Sequence, residues 1–195
     1  MYKQEIKMSS LSWQTYKNLS MASMPQQVRE RLLSPGSLTQ YLEKRVEKTF
    51  QVEVLSNGWL YPHHDEVKYL DISTREKAWV REVYLRCDGE VAIYAWSVFP
   101  ESTLTGKYKG LQRLGNKSLG KILFKQSEVL RSEFEIAQIT LEHPLYQKVA
   151  RELSQEQSFL WARRSCFKLE DKPVLVNELF LPYMFNEKTC QLATV

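Results

Sequence analysis

Cysteine is scarce in this chain: there are three, Cys87, Cys166 and Cys190, scattered and odd in number. Such spacing supplies neither a disulfide framework nor a zinc-ligand cluster, so a reducing cytoplasm is the expected setting. Long apolar runs are missing as well. No stretch approaches the roughly 20 residues that span a bilayer. Met1–Ser10 alternates polar and apolar residues without the apolar core of a signal peptide. Charge of one sign is also in short supply: 27 Lys and Arg stand against 23 Asp and Glu, a net +4, and the two signs are interspersed. That balance argues against a nucleic-acid partner and leaves a weak preference for a small anionic molecule. Neither an internal repeat nor a low-complexity linker interrupts the chain.

What is present fits one ordinary globular domain. At 195 residues the chain can bury a substantial core, and ten Tyr, eight Phe and five Trp suit either tight packing or a pocket for a ring. Residues 1–24 show weak periodicity and read as an N-terminal arm with one short helix. Gln26–Leu33 reads as a helix stopped by Ser34, Pro35 and Gly36. Ser37 then caps a second helix whose apolar stripe runs through Leu38, Tyr41, Leu42, Val46 and Phe50.

After Phe50 the hydrophobic period becomes two. Phe50–Val54 reads as a strand, Asn57-Gly58 as a turn, and Trp59–Tyr61 as the next extended segment. Ala78–Cys87 and Val91–Phe99, joined by Asp88-Gly89, carry the strongest hairpin signal. Leu111–Phe124 is partly helical. Strands are expected near 128–139, 160–169 and 174–181, with a helix at Pro144–Leu153 and a tight turn at Asp171–Pro173. Helices followed by hairpin-connected strands imply an α+β domain with a largely antiparallel sheet over residues 25–185, then a polar tail from 186 to 195.

Two charges occupy positions where strand periodicity expects apolar side chains. Along Ala78–Cys87 one face carries Trp79, Arg81, Val83, Leu85 and Cys87. In the strand at 174–181, Glu178 shares a face with Val174, Val176 and Phe180. A buried ion costs several kcal/mol unless it is paired and hydrogen-bonded, and arginine cannot shed its proton. Arg81 therefore pairs either with Glu178, as a structural ion pair, or with the carboxylate of a ligand. A helix beginning near Ser118 would add free backbone N–H groups for an anion.

Six stretches, in order, resemble the chorismate pyruvate-lyase family: Leu33–Thr39 (LSPGSLT), Ala78–Leu85 (AWVREVYL), Pro100–Gly106 (PESTLTG), Leu114–Phe124 (LGNKSLGKILF), Leu160–Ser165 (LWARRS) and Lys172–Pro182 (KPVLVNELFLP). The resemblance implies a six-stranded antiparallel sheet with flanking helices and an enclosed pocket. It also implies conversion of chorismate to 4-hydroxybenzoate and pyruvate without metal or cofactor, the first committed step toward ubiquinone. By motif position the ligand-holding groups fall on Arg81, Glu178 and the main chain of Leu38 and Leu119, with Arg81 and Glu178 as the catalytic pair.

Arg81 and the Leu119 N–H are expected to hold the ring carboxylate. Glu178 is expected at the ether end, protonated or acting through water. The chain departs from the family in one place: Trp96 stands where an arginine is usual, so that arginine's anion contact is missing or falls to another group such as Arg163 or Arg164, or Trp96 stacks on the ring. Nothing points to an obligate interface, and a monomer is expected. His63-His64-Asp65 reads as a solvated turn, not a metal site. The rival reading is a non-catalytic binder of an aromatic carboxylate, like the sensor domains of some transcription regulators. No DNA-binding helical domain is evident in the first 50 residues.

Overall fold

The protein is described by a computed structural model covering residues 11–18, 24–124 and 129–185. The expected tail at 186–195 and most of the expected arm lie outside these residues. Among the described residues there are eight strands: β1 (Gln14–Thr15), β2 (Phe50–Leu60), β3 (Ala78–Cys87), β4 (Glu90–Pro100), β5 (Leu130–Arg131), β6 (Glu135–Thr140), β7 (Phe159–Leu169) and β8 (Lys172–Phe180). They form one antiparallel sheet in the order β1-β6-β7-β8-β4-β3-β2, with β5 paired to β7. Six of the eight are long, which is the expected six-stranded sheet; the other two are two-residue additions. One of these, β1, ties the described part of the arm to the sheet by pairing Gln14 with Ile136.

Local expectations change in several places. Asn57-Gly58 makes no turn. Both residues stay in β2, opposite Arg81 and Val80, because a bulge between Val54 and Ser56 absorbs the register shift. The strand expected near 128–139 is split into β5 and β6, because Ser132 bonds back to the Cys166 carbonyl and interrupts the ladder. The central hairpin is as expected. Asp88 and Gly89 both take positive φ, 53° and 93°, the geometry that a two-residue turn needs to match strand twist.

Helices cover both faces of the sheet. On one face lie α1 (Gln26–Leu32), α2 (Leu38–Glu43) and α4 (Leu119–Leu123). Leu32 and Leu42 pack there on Val83, Leu85 and Ile93, and Leu123 joins Phe99 and Phe167. On the opposite face lie α3 (His64–Leu70) and α5 (Pro144–Val149), whose Leu70, Tyr146 and Val149 pack on Tyr94, Trp96 and Val98. His63-His64-Asp65 thus opens a helix instead of forming a solvated turn. The His63 N–H donates to Glu66 Oε2 at 3.0 Å, closing the first turn.

Candidate active site

The first face of the sheet holds a small cavity of about 50 Å³. Register explains how its charges come together. Arg81 on β3 stands opposite Ser97 on β4, which stands opposite Val176 on β8. One row along, Val83, Ala95, Glu178 and Arg163 line up across β3, β4, β8 and β7. Arg81 and Glu178 therefore share a cavity but not a row, and the side chain directly opposite Glu178 is Arg163.

That placement answers the ion-pair question. Glu178 accepts from Arg163 Nε at 2.5 Å and has Arg131 Nη2 at 3.9 Å. Arg163 is almost wholly buried, and its Nη1 donates to the carbonyls of Leu32 and Ser34 at 2.8 and 3.2 Å. Arg81 has no carboxylate within ion-pair distance among the described residues. Its Nη2 donates to the Gly115 and Lys117 carbonyls at 2.9 and 3.1 Å, and its buried Nε has no partner. Gly115, at φ +52°, makes the left-handed turn that presents those carbonyls. Burial pulls the Arg81 guanidinium below its usual pKa, as expected for a cation without a counter-anion.

Two helix starts converge on the same cavity, and they are built alike. Ser37 caps α2 by accepting from the Gln40 N–H, and Ser118 caps α4 by accepting from the Lys121 N–H. Leu38 and Leu119 follow as the first helical residues, and N–H groups at that position have no acceptor within their own helix. The starts are joined by a 2.9 Å hydrogen bond from Ser118 to Thr39. Gly120 permits the approach, since a Cβ there would lie 3.1 Å from Ser37 Oγ.

Four ionisable side chains line the cavity: Arg81, Arg131, Arg163 and Glu178. Three cations face one anion, so the apolar walls enclose an excess of two positive charges. Sequence reasoning offered Arg163 only as an alternative, although its alternation within Leu160–Ser165 marks it as inward-facing. Arg131 was missed, because reading 128–139 as a single strand concealed the short β5 that carries it.

Trp96 faces away from the cavity. Its neighbours Ala95 and Ser97 line the site, while its indole packs on Tyr94 and donates to Glu66 Oε1 at 2.9 Å on the opposite face. It can neither stack on a ligand ring nor leave a missing anion contact. Arg164 also points to that opposite face, where it pairs with Asp65 and Glu135.

The sequence profile of the family described as Chorismate lyase matches residues 7–190. The chain belongs to the chorismate lyase family. Among its relatives are proteins named probable chorismate pyruvate-lyase from three bacteria. The Nitrosomonas europaea protein is 36% identical, over 82% of this chain and 89% of its own length. The Thiobacillus denitrificans protein is 38% identical, over 83% and 86%. The Coxiella burnetii protein is 37% identical, over 83% and 86%.

Solved structures of similar fold include a GntR-family transcriptional regulator from Bacillus cereus. It has a TM-score of 0.53 and 12% identity, over 71% of this chain and 96% of its own. The C-terminal domain of PhnF has a TM-score of 0.53 and 20% identity, over 66% and 80%. At such identity these two show the fold alone.

Proposed function

We propose that this chorismate lyase family member converts chorismate to 4-hydroxybenzoate and pyruvate, acting as a cytoplasmic monomer without metal or cofactor and supplying a quinone head-group precursor. The observation that carries the reading is Arg81, a buried cation without an anion among the described residues, in a cavity with two positive charges in excess. Chorismate is a dianion, and such a cavity binds it where water is excluded and charge interactions are strong.

The reaction itself needs little from the protein. The ether C–O bond breaks, a ring hydrogen from the adjacent hydroxyl-bearing carbon leaves, the enol-ether methylene becomes the pyruvate methyl, and the ring becomes aromatic. Arg81 and the Leu119 N–H hold the ring carboxylate. Glu178 sits at the opposite end beside Arg163, an arrangement that suits it as an acceptor for the ring hydroxyl more than as a proton donor. The Leu38 main chain closes the same end. Rate enhancement then comes from holding the side chain in its reactive geometry.

The test is to incubate the protein with chorismate in the presence of a chelator and follow both products. Equal amounts of 4-hydroxybenzoate and pyruvate are expected, with a first-turnover burst followed by a slower steady rate, because a cavity rich in cations holds an anionic product and releases it slowly. Tight binding of 4-hydroxybenzoate with no turnover would replace the lyase by a binder of aromatic carboxylates.

A further inference from the structure

Chorismate carries two carboxylates, and Arg81 accounts for only one. Arg163 is committed through Nε to Glu178 and through Nη1 to the carbonyls of Leu32 and Ser34, and its side chain is 1% exposed. Arg131 is different. Its Nε donates to Ser165 Oγ at 2.9 Å and its Nη1 to the Pro35 carbonyl at 3.2 Å. Its Nη2 faces Glu178 at 3.9 Å, beyond hydrogen-bond reach. Three rings fix the plane of the guanidinium: Phe134 at 4.2 Å, Phe167 at 4.8 Å and Phe124 at 5.8 Å. Burial pulls its pKa down to about 10, against the partial support of Glu178. The group is thus held rigidly, under-compensated and equipped with an unused donor.

Its location matters as much as its state. Arg131 borders this cavity and also a larger one of about 410 Å³, lined by Tyr16, Leu33, Pro35 and Phe134. It lies beside Glu178, at the end of the site assigned to the ether oxygen. The pyruvyl carboxylate hangs from that oxygen.

We propose that Arg131 binds the pyruvyl carboxylate of chorismate through Nη2 and thereby distinguishes the dianionic substrate from the monoanionic product. This rests on the lyase reading above. After the ether bond breaks, 4-hydroxybenzoate retains its hold on Arg81 but has no group for Arg131. Substrate affinity therefore depends on both arginines, and product affinity on one.

The experiment compares Arg131→Gln with wild type in two measurements, the KM for chorismate and the Kd for 4-hydroxybenzoate. The variant should raise the chorismate KM about 30-fold or more and leave the 4-hydroxybenzoate Kd within about threefold. An Arg81→Gln control should weaken both. Equal weakening of both ligands by Arg131→Gln, or of neither, overturns the proposal. If Arg131→Gln does not fold, Arg131→Lys keeps the charge but loses the planar fork. It should raise the chorismate KM several-fold with product affinity unchanged, and parallel losses would again overturn the assignment. Wild type inert toward chorismate would remove the lyase reading and this inference with it. Active wild type beside an indifferent Arg131→Gln would remove this inference alone.

Discussion

The two faces of the central sheet treat buried charge in opposite ways. On the face covered by α3 and α5, Arg164 pairs with Asp65 and Glu135, and Glu66 accepts from the Trp96 indole and the His63 N–H. On the cavity face Glu178 is over-supplied with cations, and Arg81 has no anion among the described residues. The first pattern is what a fold needs for stability, since a buried charge must be compensated. The second leaves electrostatic free energy unclaimed until an anion arrives. The imbalance, more than the mere presence of arginine, separates a binding site from a core.

Removing the uncompensated cation should have the largest effect. Arg81→Ala is expected to lower kcat/KM for chorismate by on the order of 10³ while changing the thermal midpoint little, because no anion is orphaned. Steady-state kinetics beside thermal unfolding checks both halves, and retained kcat/KM would break the contrast between the faces. Glu178→Gln should do the reverse in stability. It leaves Arg163 buried without an anion, at a cost of about 3–5 kcal/mol, and chemical denaturation should report that loss. An unchanged denaturation midpoint would mean that Arg163 is satisfied by its carbonyls alone.

A smaller effect belongs to the opposite face. Burial raises the Glu66 carboxyl above its ordinary value of 4.5, outweighing the opposing hydrogen bonds from Trp96 and His63. Above that ordinary value the unfolded chain gives up the proton while the folded chain keeps it, so stability falls as pH rises toward the folded-state value. Glu66→Gln keeps an oxygen for the indole and should remove the decline. Its melting temperature relative to wild type should climb as pH rises above the ordinary value of 4.5, and a constant offset would contradict the assignment. The smallest effect is expected from Trp96→Arg. The new guanidinium would meet Glu66, not the cavity, so kcat/KM should stay within about threefold of wild type. A hundredfold change would place that position in the site after all.

Much of this was legible in the sequence, because strand alternation is a strong local signal. Arg81 and Glu178 stood out as charges on apolar faces, Ser37 and Ser118 as helix caps, and Asp88-Gly89 as a hairpin turn. Pairing between strands was not legible. Whether Arg81 meets Glu178 depends on β4 lying between β3 and β8, and on a register that sets Glu178 opposite Arg163. The orientation of Trp96 follows from the same register. Alternation alone says that it faces away from Ala95 and Ser97, but only the packing of α3 supplies Glu66 to meet it. Arg131 was the hardest to find, since a two-residue strand has no period to read.

Arg163 has a consequence for how this protein can change over generations. It neutralises Glu178 and also fastens the segment after α1 to the sheet through the Leu32 and Ser34 carbonyls. A lineage drifting from chemistry toward simple sensing cannot discard the glutamate cheaply, for its loss strands a cation that the fold still relies on. Glutamate and arginine must be exchanged together, with a new anchor for the chain between α1 and α2. A descendant that had made the transition should therefore carry both replacements, and one that retained the arginine alone should be rare.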